Sequence, residues 1–483
     1  MKDIRKKTTS GMKWNAIERL SILIFSFSIN IILARLLSPS DYGIIGMLAV
    51  FISISEVFVN SGFGVALIQN KNRTEVDFST AFYYNFFLSI IFYIILYFTS
   101  PIIASFYETP SLILITRVLG LSLIIGALGS LQNIKLIVEV DFKTQAKIAL
   151  MSNLIAGSIS IILAFLEFGV WVLVFQSLLS TLLMTIFRVF YVRWVPLLIF
   201  SKNSFKRLFG FGSKILLITL MDVMFNNLYN IIIGKKYTAV DLGYFTRANT
   251  FIQLPATNIS SILEKVTFPV LSEIQDDMSR LSNNYRKILR MAAFIIFPTM
   301  MIIFVLTEPL VIFLLTDKWI EIIPFMQILC FSYILHPINV MNVNLLKVKG
   351  KTNILVKLEV VKKVMVTAII FITMNFGVLG LCYGIVVSTF LSFIINSVYT
   401  GRIIGFGFIK QSKDLFPVFL ISLFTALVIY LSILKLNSNL AKLFVGCLVG
   451  GCFYCGISHL FKSNELKELI NILASKIGHK NKK

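Results

Sequence analysis

The sequence predicts an all-α polytopic membrane protein, on the grounds of its composition, its apolar runs and an internal repeat. Of the 483 residues, 57% are hydrophobic and only 14% are charged, whereas soluble proteins carry roughly 25% charged residues. Apolar runs of about 20 residues recur along the chain, which is the length a helix needs to cross a bilayer. Because lipid offers no partners to backbone N–H and C=O groups, these segments must be helical.

The internal repeat has a constant offset of 200 residues. Asn30-Ile31-Ile32 recurs as Asn230-Ile231-Ile232, and Asp41 and Gly43 recur as Asp241 and Gly243. The shared register has no gap, and it indicates two copies of one unit. The same offset relates Leu20 to Leu220, Phe25 to Phe225, Phe51 to Phe251, Asp77 to Asp277 and Ser79 to Ser279.

The apolar runs predict about fourteen transmembrane helices. Six of them fall within the 200-residue offset, so the two copies have the same orientation and form parallel repeats. The predicted spans are residues 15–37, 43–67, 80–104, 111–134, 146–166, 169–191, 208–233, 246–272, 289–315, 322–346, 354–375, 378–399, 415–435 and 440–461.

These spans predict four parts of the chain. Residues 1–200 form an N-terminal six-helix bundle, and residues 201–400 form a C-terminal bundle that repeats it. Residues 401–461 add two transmembrane helices, and residues 462–483 form a basic cytoplasmic tail. In this tail Leu466, Leu469, Ile470, Leu473 and Ile477 follow helical spacing, which predicts an amphipathic helix at the membrane surface.

The net charge of +22 is concentrated on one predicted face of the membrane. With the N-terminus inside, 35 of the 45 Lys and Arg residues fall in inner segments and 7 in outer segments. Such a bias marks the cytoplasmic face and places both termini in the cytoplasm. The charge therefore predicts no nucleic-acid partner.

No catalytic, metal or cofactor motif emerges from the sequence. Gly210-Phe211-Gly212-Ser213-Lys214 lacks the spacing of a phosphate-binding loop and opens a predicted membrane helix. The five cysteines lie within apolar runs, and no predicted loop could hold a catalytic domain. We therefore expect a protein that is not an enzyme and has no cofactor, with coupling to a proton or sodium gradient left open.

Charged residues inside the spans are the candidates for function, because each costs about 2.5–3.5 kcal/mol at the centre of a membrane. Glu56, Arg117 and Asp222 lie deep in their spans. Depth favours a water-filled cavity, although internal pairing would also explain them. Asp222 and Glu56 are candidates for ion coupling, since desolvation favours their binding a proton or a sodium ion.

Three sequence blocks stand out as motifs: Leu36-Leu37-Ser38-Pro39-Ser40-Asp41-Tyr42-Gly43, Ser61-Gly62-Phe63-Gly64-Val65-Ala66-Leu67-Ile68-Gln69, and the block from Leu242-Gly243-Tyr244 to Val270-Leu271-Ser272. They resemble the signature blocks of the Wzx-type flippases of the multidrug/oligosaccharidyl-lipid/polysaccharide exporter superfamily. The resemblance implies two six-helix bundles around a central cavity, often with two extra helices.

The resemblance also implies a function. A flippase of this type moves polyprenyl-pyrophosphate-linked oligosaccharide across the bacterial cytoplasmic membrane for O-antigen, capsule or exopolysaccharide assembly. Its expected partners are this lipid-linked substrate, membrane lipids, a polysaccharide polymerase and glycosyltransferases. The alternatives are an ion-coupled multidrug antiporter of the same superfamily and a membrane-embedded polysaccharide polymerase or ligase.

A pyrophosphate substrate would need cations along its path, since isolated buried charges are very costly. Lys357, Lys362 and Lys363 crowd the inner end of one span, and Arg117 lies nearer the outer surface. We expect these four residues to bind substrate. Lys362 and Lys363 are spaced to pair with Glu359, which leaves Lys357 the freest of the three lysines. The alternative for Arg117 is a structural pair with an acid such as Glu56.

Overall fold

The structure is a computed structural model that describes residues 25–468 and 470, and helices are the regular secondary structure of this part. A single 3-10 turn at Asp317–Trp319 lies between the eleventh and twelfth helices. The helices are α1 (Phe25–Leu36), α2 (Pro39–Asn60), α3 (Phe63–Gln69), α4 (Glu75–Phe106), α5 (Leu112–Val138), α6 (Phe142–Phe165), α7 (Trp171–Val192), α8 (Lys202–Asn226), α9 (Leu228–Lys236), α10 (Ala239–Glu273), α11 (Met278–Leu315), α12 (Ile322–Val348), α13 (Thr352–Thr373), α14 (Gly377–Ile404), α15 (Phe408–Ile433) and α16 (Asn439–Leu460).

The all-α membrane fold is confirmed, and a helix lies at each of the predicted spans. Eleven helical segments within the described residues are long and apolar enough to cross a membrane, with α8 and α9 together making one of them. The described part of the first span, α1, is shorter, and α10 and α13 carry more polar and charged residues. The count of fourteen therefore stays a prediction. Residues 1–24, where the first span was expected to begin, lie outside the described residues.

Two predicted spans are interrupted. The second is divided into α2 and α3 at Ser61 and Gly62, whose φ angles of 47° and 69° are left-handed and end a right-handed helix. The seventh is divided into α8 and α9 at Asn227. Gly212 of α8 packs against the first break, where a side chain at Gly212 would meet the Ser61 carbonyl oxygen at 2.7 Å.

The chain forms two compact units, Met1–Gly243 and Tyr244–Lys483. In the first unit α5 packs between α4 and α7, and α8 contacts α2, α3 and α4. In the second unit α11 packs against α12, α15 and α16, while α14 packs against α12 and α13. The predicted boundary of the repeat at residue 200 stays a prediction, because duplication and packing need not divide a chain at the same residue.

The two copies of the repeat begin equivalent helices with the same cap. At the start of α2, Ser38 donates its hydroxyl to the Asp41 carboxylate at 2.7 Å, and the Asp41 N–H donates to Ser38 Oγ. At the start of α10, Thr238 and Asp241 make the same two contacts, the first also at 2.7 Å. A reciprocal cap of this kind satisfies backbone donors that a helix start leaves unpaired. The 200-residue register therefore has a physical role in both copies.

The first turns of α2 and α10 also pack closely on each other. A Cβ atom on Gly43 would overlap the Ala239 carbonyl, and one on Gly243 would overlap the Pro39 carbonyl. The contact is reciprocal, because each repeat contributes a glycine and a first-turn carbonyl. Both glycines are needed here for close backbone approach.

Ion pairs between different helical elements agree with the predicted orientation of the spans. Seven such pairs each join two residues predicted to lie at the same face of the membrane. The pair at the predicted outer face is Lys235–Glu108, and those at the predicted inner face are Lys135–Glu75, Arg207–Asp77, Arg286–Asp414, Arg290–Glu465, Lys287–Glu468 and Lys347–Glu264.

Two of these pairs hold the start of the predicted tail. Glu465 lies 2.7 Å from Arg290 of α11, and Glu468 lies 2.7 Å from Lys287 of the same helix. Residues 464–468 and 470 are helical. The rest of the predicted amphipathic helix, including Leu469, Leu473 and Ile477, lies outside the described residues.

Candidate functional site

The six candidate site residues fall into two groups. Glu56, Arg117 and Asp222 belong to the first compact unit, on α2, α5 and α8. The lysines Lys357, Lys362 and Lys363 belong to the second unit, all on α13. Their assignment to substrate or ion binding stays a prediction, and each is described here by its surroundings.

Arg117 contacts the backbone of α4 next to a proline. Pro101 has no N–H, so the carbonyl of Tyr97 loses its helical donor. The Ser100 hydroxyl donates to this carbonyl at 2.7 Å. Arg117 Nε donates to Ser100 Oγ at 3.1 Å and to the Tyr97 carbonyl at 3.4 Å. The guanidinium also lies 4.2 Å from the centre of the Tyr97 ring, so Arg117 stabilises the part of α4 around Pro101.

Glu56 lies near the end of α2, about one turn before the break at Ser61 and Gly62. Its side chain is exposed and makes no ion pair or hydrogen bond with the described residues. The last turn of a helix carries partial negative charge, which favours a cation beside a carboxylate there. Glu56 and Arg117 do not pair. The structural contacts of Arg117 are those with Ser100 and Tyr97 instead.

Asp222 has a similar position on α8. It lies in the last turn before the break at Asn227, at an exposed position. Asn227 donates its side chain to the Val223 carbonyl at 2.9 Å, and Asn230 donates to Asn227 Oδ1 at 3.4 Å. Interrupted helices with polar groups at the break coordinate ions in several families of membrane transporters. This geometry is compatible with cation binding at Asp222.

The lysines of α13 differ in their freedom to bind a ligand. Lys362 Nζ donates to Glu359 at 2.6 Å, as their spacing predicts, and its side chain is 13% exposed. Lys363 is half-buried and has interactions of its own. Lys357 is exposed and makes no ion pair with a described residue. It is therefore the lysine of this group best able to take up an anionic ligand.

Arg188 is a candidate that the sequence analysis did not single out, although it falls within the predicted span 169–191. The structure places it inside α7, half-buried and without an ion pair or hydrogen bond to the described residues. Thr185, one turn earlier, donates to the Ile125 carbonyl at 3.0 Å and packs against Gly129. This register puts Arg188 level with Gln132, whose Oε1 is buried without a partner. The helical spacing of Thr181, Thr185 and Arg188 was the signal that could have identified it.

One buried polar cluster in the second unit has a structural role. Asn342 Oδ1 accepts from the Tyr285 hydroxyl at 2.9 Å, the Thr400 hydroxyl at 2.6 Å and Gln411 Nε2 at 2.9 Å. All four side chains are completely buried. They come from α11, α12, α14 and α15, so the cluster joins these helices through hydrogen bonds that lipid cannot replace.

Within each unit, the candidate residues are charges spaced apart on mostly apolar helices. Lys357 and Arg188 present cations without a carboxylate partner, and Glu56 presents a carboxylate without a cation. Such groups are expensive in a membrane unless they face water or a ligand. No group of three or more His, Cys, Asp or Glu side chains in the described part of the chain could hold a metal ion. Each of these three side chains is, by its charge and lack of an ion pair with a described residue, suited to binding a charged group.

Two curated proteins and one solved structure are similar to this chain. The chain is 24% identical over 449 residues to the lipopolysaccharide biosynthesis protein WzxC of Escherichia coli, covering 91% of this chain and 90% of WzxC. It is 24% identical over 356 residues to the teichuronic acid biosynthesis protein TuaB of Bacillus subtilis, covering 73% of this chain and 74% of TuaB. The lipid II flippase MurJ, in an inward closed conformation, has the same fold, with a TM-score of 0.71 at 16% identity, covering 92% of this chain and 99% of MurJ.

The family comparison covers most of the transmembrane region. Residues 32–324 match the family described as "Polysaccharide biosynthesis protein", from α1 to the start of α12. This segment is more than half of the chain and includes both copies of the capping motif. The protein is thus a multi-pass membrane protein that belongs to the polysaccharide biosynthesis protein family.

Proposed function

We propose that the protein is a flippase that moves polyprenyl-pyrophosphate-linked oligosaccharide across the cytoplasmic membrane for assembly of a surface polysaccharide. The observation that carries the proposal is the family match over residues 32–324 of a chain built from membrane-spanning helices. WzxC and TuaB, named for the biosynthesis of two such polymers, support it. The fold shared with MurJ is compatible with transport of a large lipid-linked substrate.

Transport accounts for the chain better than catalysis does. The longest connection between the described helices is the segment 193–201, which is too short for a soluble catalytic domain. The charged side chains of the site are distributed over several helices, and they do not form a nucleophile and base pair. We propose accordingly that the protein is a transporter and not an enzyme, and that it works without a cofactor.

The head group of the substrate would be held by cations in this proposal. Lys357 supplies a first contact at the predicted inner face, where substrate loads, and the freedom of its ammonium group supports this role. Arg188 of the first unit is a separate candidate contact, since a guanidinium can donate twice to one phosphate. Arg117 remains a contact nearer the outer face, and its bonds to Ser100 and Tyr97 would have to be shared with substrate.

Energy for transport would come from an ion gradient. Asp222 and Glu56 each lie about one turn before a helix break, where a proton or sodium ion offsets both the carboxylate and the helix end. We propose Asp222 as the main coupling residue and Glu56 as the second. Both termini would be cytoplasmic, and a polysaccharide polymerase and glycosyltransferases would act with the protein.

A reconstituted transport assay tests the proposal. Purified protein is placed in liposomes that contain a fluorescent polyprenyl-pyrophosphate oligosaccharide, and a membrane-impermeant quencher reports the fraction exposed outside. We expect faster exposure than in protein-free liposomes, and no acceleration for fluorescent phosphatidylcholine. Lys357→Ala should slow exposure, while the matched variant Lys351→Ala, at an exposed loop position, should not.

The same liposomes distinguish the antiporter alternative, which the unpaired carboxylate of Glu56 keeps open. In that case the labelled oligosaccharide lipid would flip no faster than in protein-free liposomes. A proton or sodium gradient would instead drive uptake of a cationic dye. This pair of results would replace the flippase assignment.

A further inference from the structure

A groove in the first unit lies between α4 and the start of α8, apart from the candidate transport residues. It has a volume of about 620 Å³. Aromatic side chains make up most of its wall, and two lysines lie at its rim. The lining residues are Tyr83, Tyr84 and Phe87 of α4, Phe200 of the preceding segment, and Lys202, Phe205 and Lys206 of α8.

The segment 193–201 fixes one side of this groove to α4. The backbone N–H of Leu197 donates to Ser79 Oγ at 2.9 Å, and that of Ser201 donates to Thr80 Oγ1 at 3.1 Å. Trp194 Nε1 donates to Glu75 at 2.6 Å. These bonds hold the segment against the first turns of α4, so the groove is formed before any ligand binds.

A salt bridge secures the start of α8 in the same way. Arg207 lies 2.5 Å from Asp77, whose side chain is fully buried. The ring of Tyr84 stacks against Phe63 and contacts Phe205. The aromatic wall is therefore continuous with the packed core of the unit, whereas Phe87 projects outward and is 61% exposed.

The two lysines at the rim have no protein anion to neutralise them. Lys202 and Lys206 are four residues apart on α8, so they lie on one face of the helix. Both are exposed, and neither forms an ion pair with a described residue. They lie in the first turns of α8, where the partial positive charge of the helix start adds to their own. The rim is thus positively charged, next to an apolar wall.

The groove lies at the depth of a lipid head group. Helix α4 has 32 residues, which span about 48 Å at about 1.5 Å per residue. The hydrocarbon core of a bilayer is about 30 Å thick, so the first turns of α4 project from it at the predicted inner face. The bond between Ser201 and Thr80 places the lysines at this level. Tyr84 and Phe87 are about one to two turns deeper.

We propose that this groove binds an anionic glycerophospholipid of the inner leaflet. Its phosphate lies between Lys202 and Lys206, and an acyl chain follows the wall formed by Tyr84 and Phe87. Point charges on lysine suit a phosphate in the head-group region, and the aromatic wall suits the chain. The site would fasten the segment between the two repeats to the membrane surface, whichever molecule the protein transports.

Native mass spectrometry of the full-length protein in detergent tests the site. Phosphatidylglycerol and phosphatidylcholine are titrated separately, and their retention on the protein is compared. We expect tighter binding of phosphatidylglycerol, and a roughly tenfold or greater loss in the Lys202→Gln/Lys206→Gln variant, since each lysine contributes to binding an anionic lipid. The control Lys143→Gln/Lys147→Gln removes two lysines with the same spacing from the start of α6 and should leave this preference unchanged.

A second variant tests the path of the acyl chain. Phe87→Ala removes an exposed ring that makes no ring contact with the described residues, so the fold should be preserved. We expect weaker retention of phosphatidylglycerol and phosphatidylcholine alike. The proposal is overturned if the protein retains both lipids equally well, or if the two lysine pairs give the same loss. Wild-type binding by Phe87→Ala would exclude the aromatic wall as the chain site.

Discussion

Arg117 and Tyr97 form a contact between α5 and α4, in which Arg117 Nε donates to the Tyr97 carbonyl at 3.4 Å and the guanidinium stacks 4.2 Å from the ring centre. The carbonyl is available because Pro101 cannot donate to it. The Ser100 hydroxyl fills the position of the missing donor and accepts from Arg117 in turn. Pro101 of α4 and Arg117 of α5 therefore both affect the hydrogen bonding of the Tyr97 carbonyl.

The first prediction separates this structural role of Arg117 from substrate binding. Arg117→Ala should lower stability by about 1–2 kcal/mol, because Ser100 and Tyr97 lose a charged donor. In a Pro101→Ala background residue 101 regains its N–H, so the same change should cost less. Thermal unfolding of the purified variants measures both costs.

Transport by the same variants is the second measurement that separates a structural role of Arg117 from substrate binding. A purely structural Arg117 should lose transport only as far as it loses folded protein, and Pro101→Ala should reduce both losses. Arg117→Lys should retain part of the function, because it keeps the charge. If transport falls equally in both backgrounds at normal stability, Arg117 contacts the substrate.

The second prediction concerns the lysines of α13. Lys357→Ala should reduce transport about tenfold to a hundredfold, which corresponds to one lost charged hydrogen bond to phosphate, and leave thermal stability unchanged. Lys362→Ala should instead affect stability, since Lys362 pairs with Glu359 at 2.6 Å. Flipping rates and unfolding temperatures of the two variants are compared. Normal transport by Lys357→Ala would remove this residue from the substrate path.

Much of the fold could be predicted because it follows from composition and register. The apolar runs located the helices, and the 200-residue offset located the equivalent caps at Asp41 and Asp241. The breaks after Asn60 and Asn226 were not predicted, because Gly62 and Asn227 lie inside continuous apolar runs. Backbone geometry, and not hydropathy, determines where those helices end.

The site could be predicted less well, because contacts between helices are invisible in one sequence. Pro101 and Arg117 were both visible, but only packing shows that they act on the same carbonyl. Arg188 was missed because only the charges deepest in their spans were singled out and Arg188 lies near the inner end of its span, although its threonine neighbours mark a packed face. The pair Lys362–Glu359 was predictable, since both residues lie on one helix at a fixed spacing.

The third prediction concerns ion coupling. Asp222→Asn should abolish the dependence of transport on a proton or sodium gradient, because an amide cannot exchange a proton or balance a cation. Glu56→Gln should weaken the dependence less. Initial flipping rates are measured in liposomes with and without each gradient. An Asp222→Asn protein that still responds to the gradients as the wild type does would show that coupling resides elsewhere.

The fourth prediction concerns orientation. Single cysteines replacing Lys435 or Lys318 should react with a membrane-impermeant maleimide from outside intact cells, whereas cysteines at Lys71 or Lys351 should react only after permeabilisation. The experiment needs a background without the native cysteines, because three of the five are exposed on the helix surface. Labelling at Lys71 from outside would invert the predicted topology, and labelling at only some outer positions would revise the span count.

The fifth prediction concerns the contact between the two repeats' first turns. Gly43→Ala should lower stability by about 1–3 kcal/mol, because its methyl group would overlap the Ala239 carbonyl and force the backbones apart. Gly243→Ala should do the same through the Pro39 carbonyl. The two costs should not add, because either methyl group already separates the same pair of turns.

Gly451 of α16 provides the matched control, since nothing lies within 4 Å of the Cβ position there. Gly451→Ala should be neutral or stabilising by up to about 1 kcal/mol, as expected for alanine in a helix. Thermal unfolding of all four proteins, including the Gly43→Ala/Gly243→Ala double variant, measures these differences. If Gly43→Ala unfolds at the same temperature as Gly451→Ala, the first turns of α2 and α10 can separate without cost, and the reciprocal glycine contact does not hold them together.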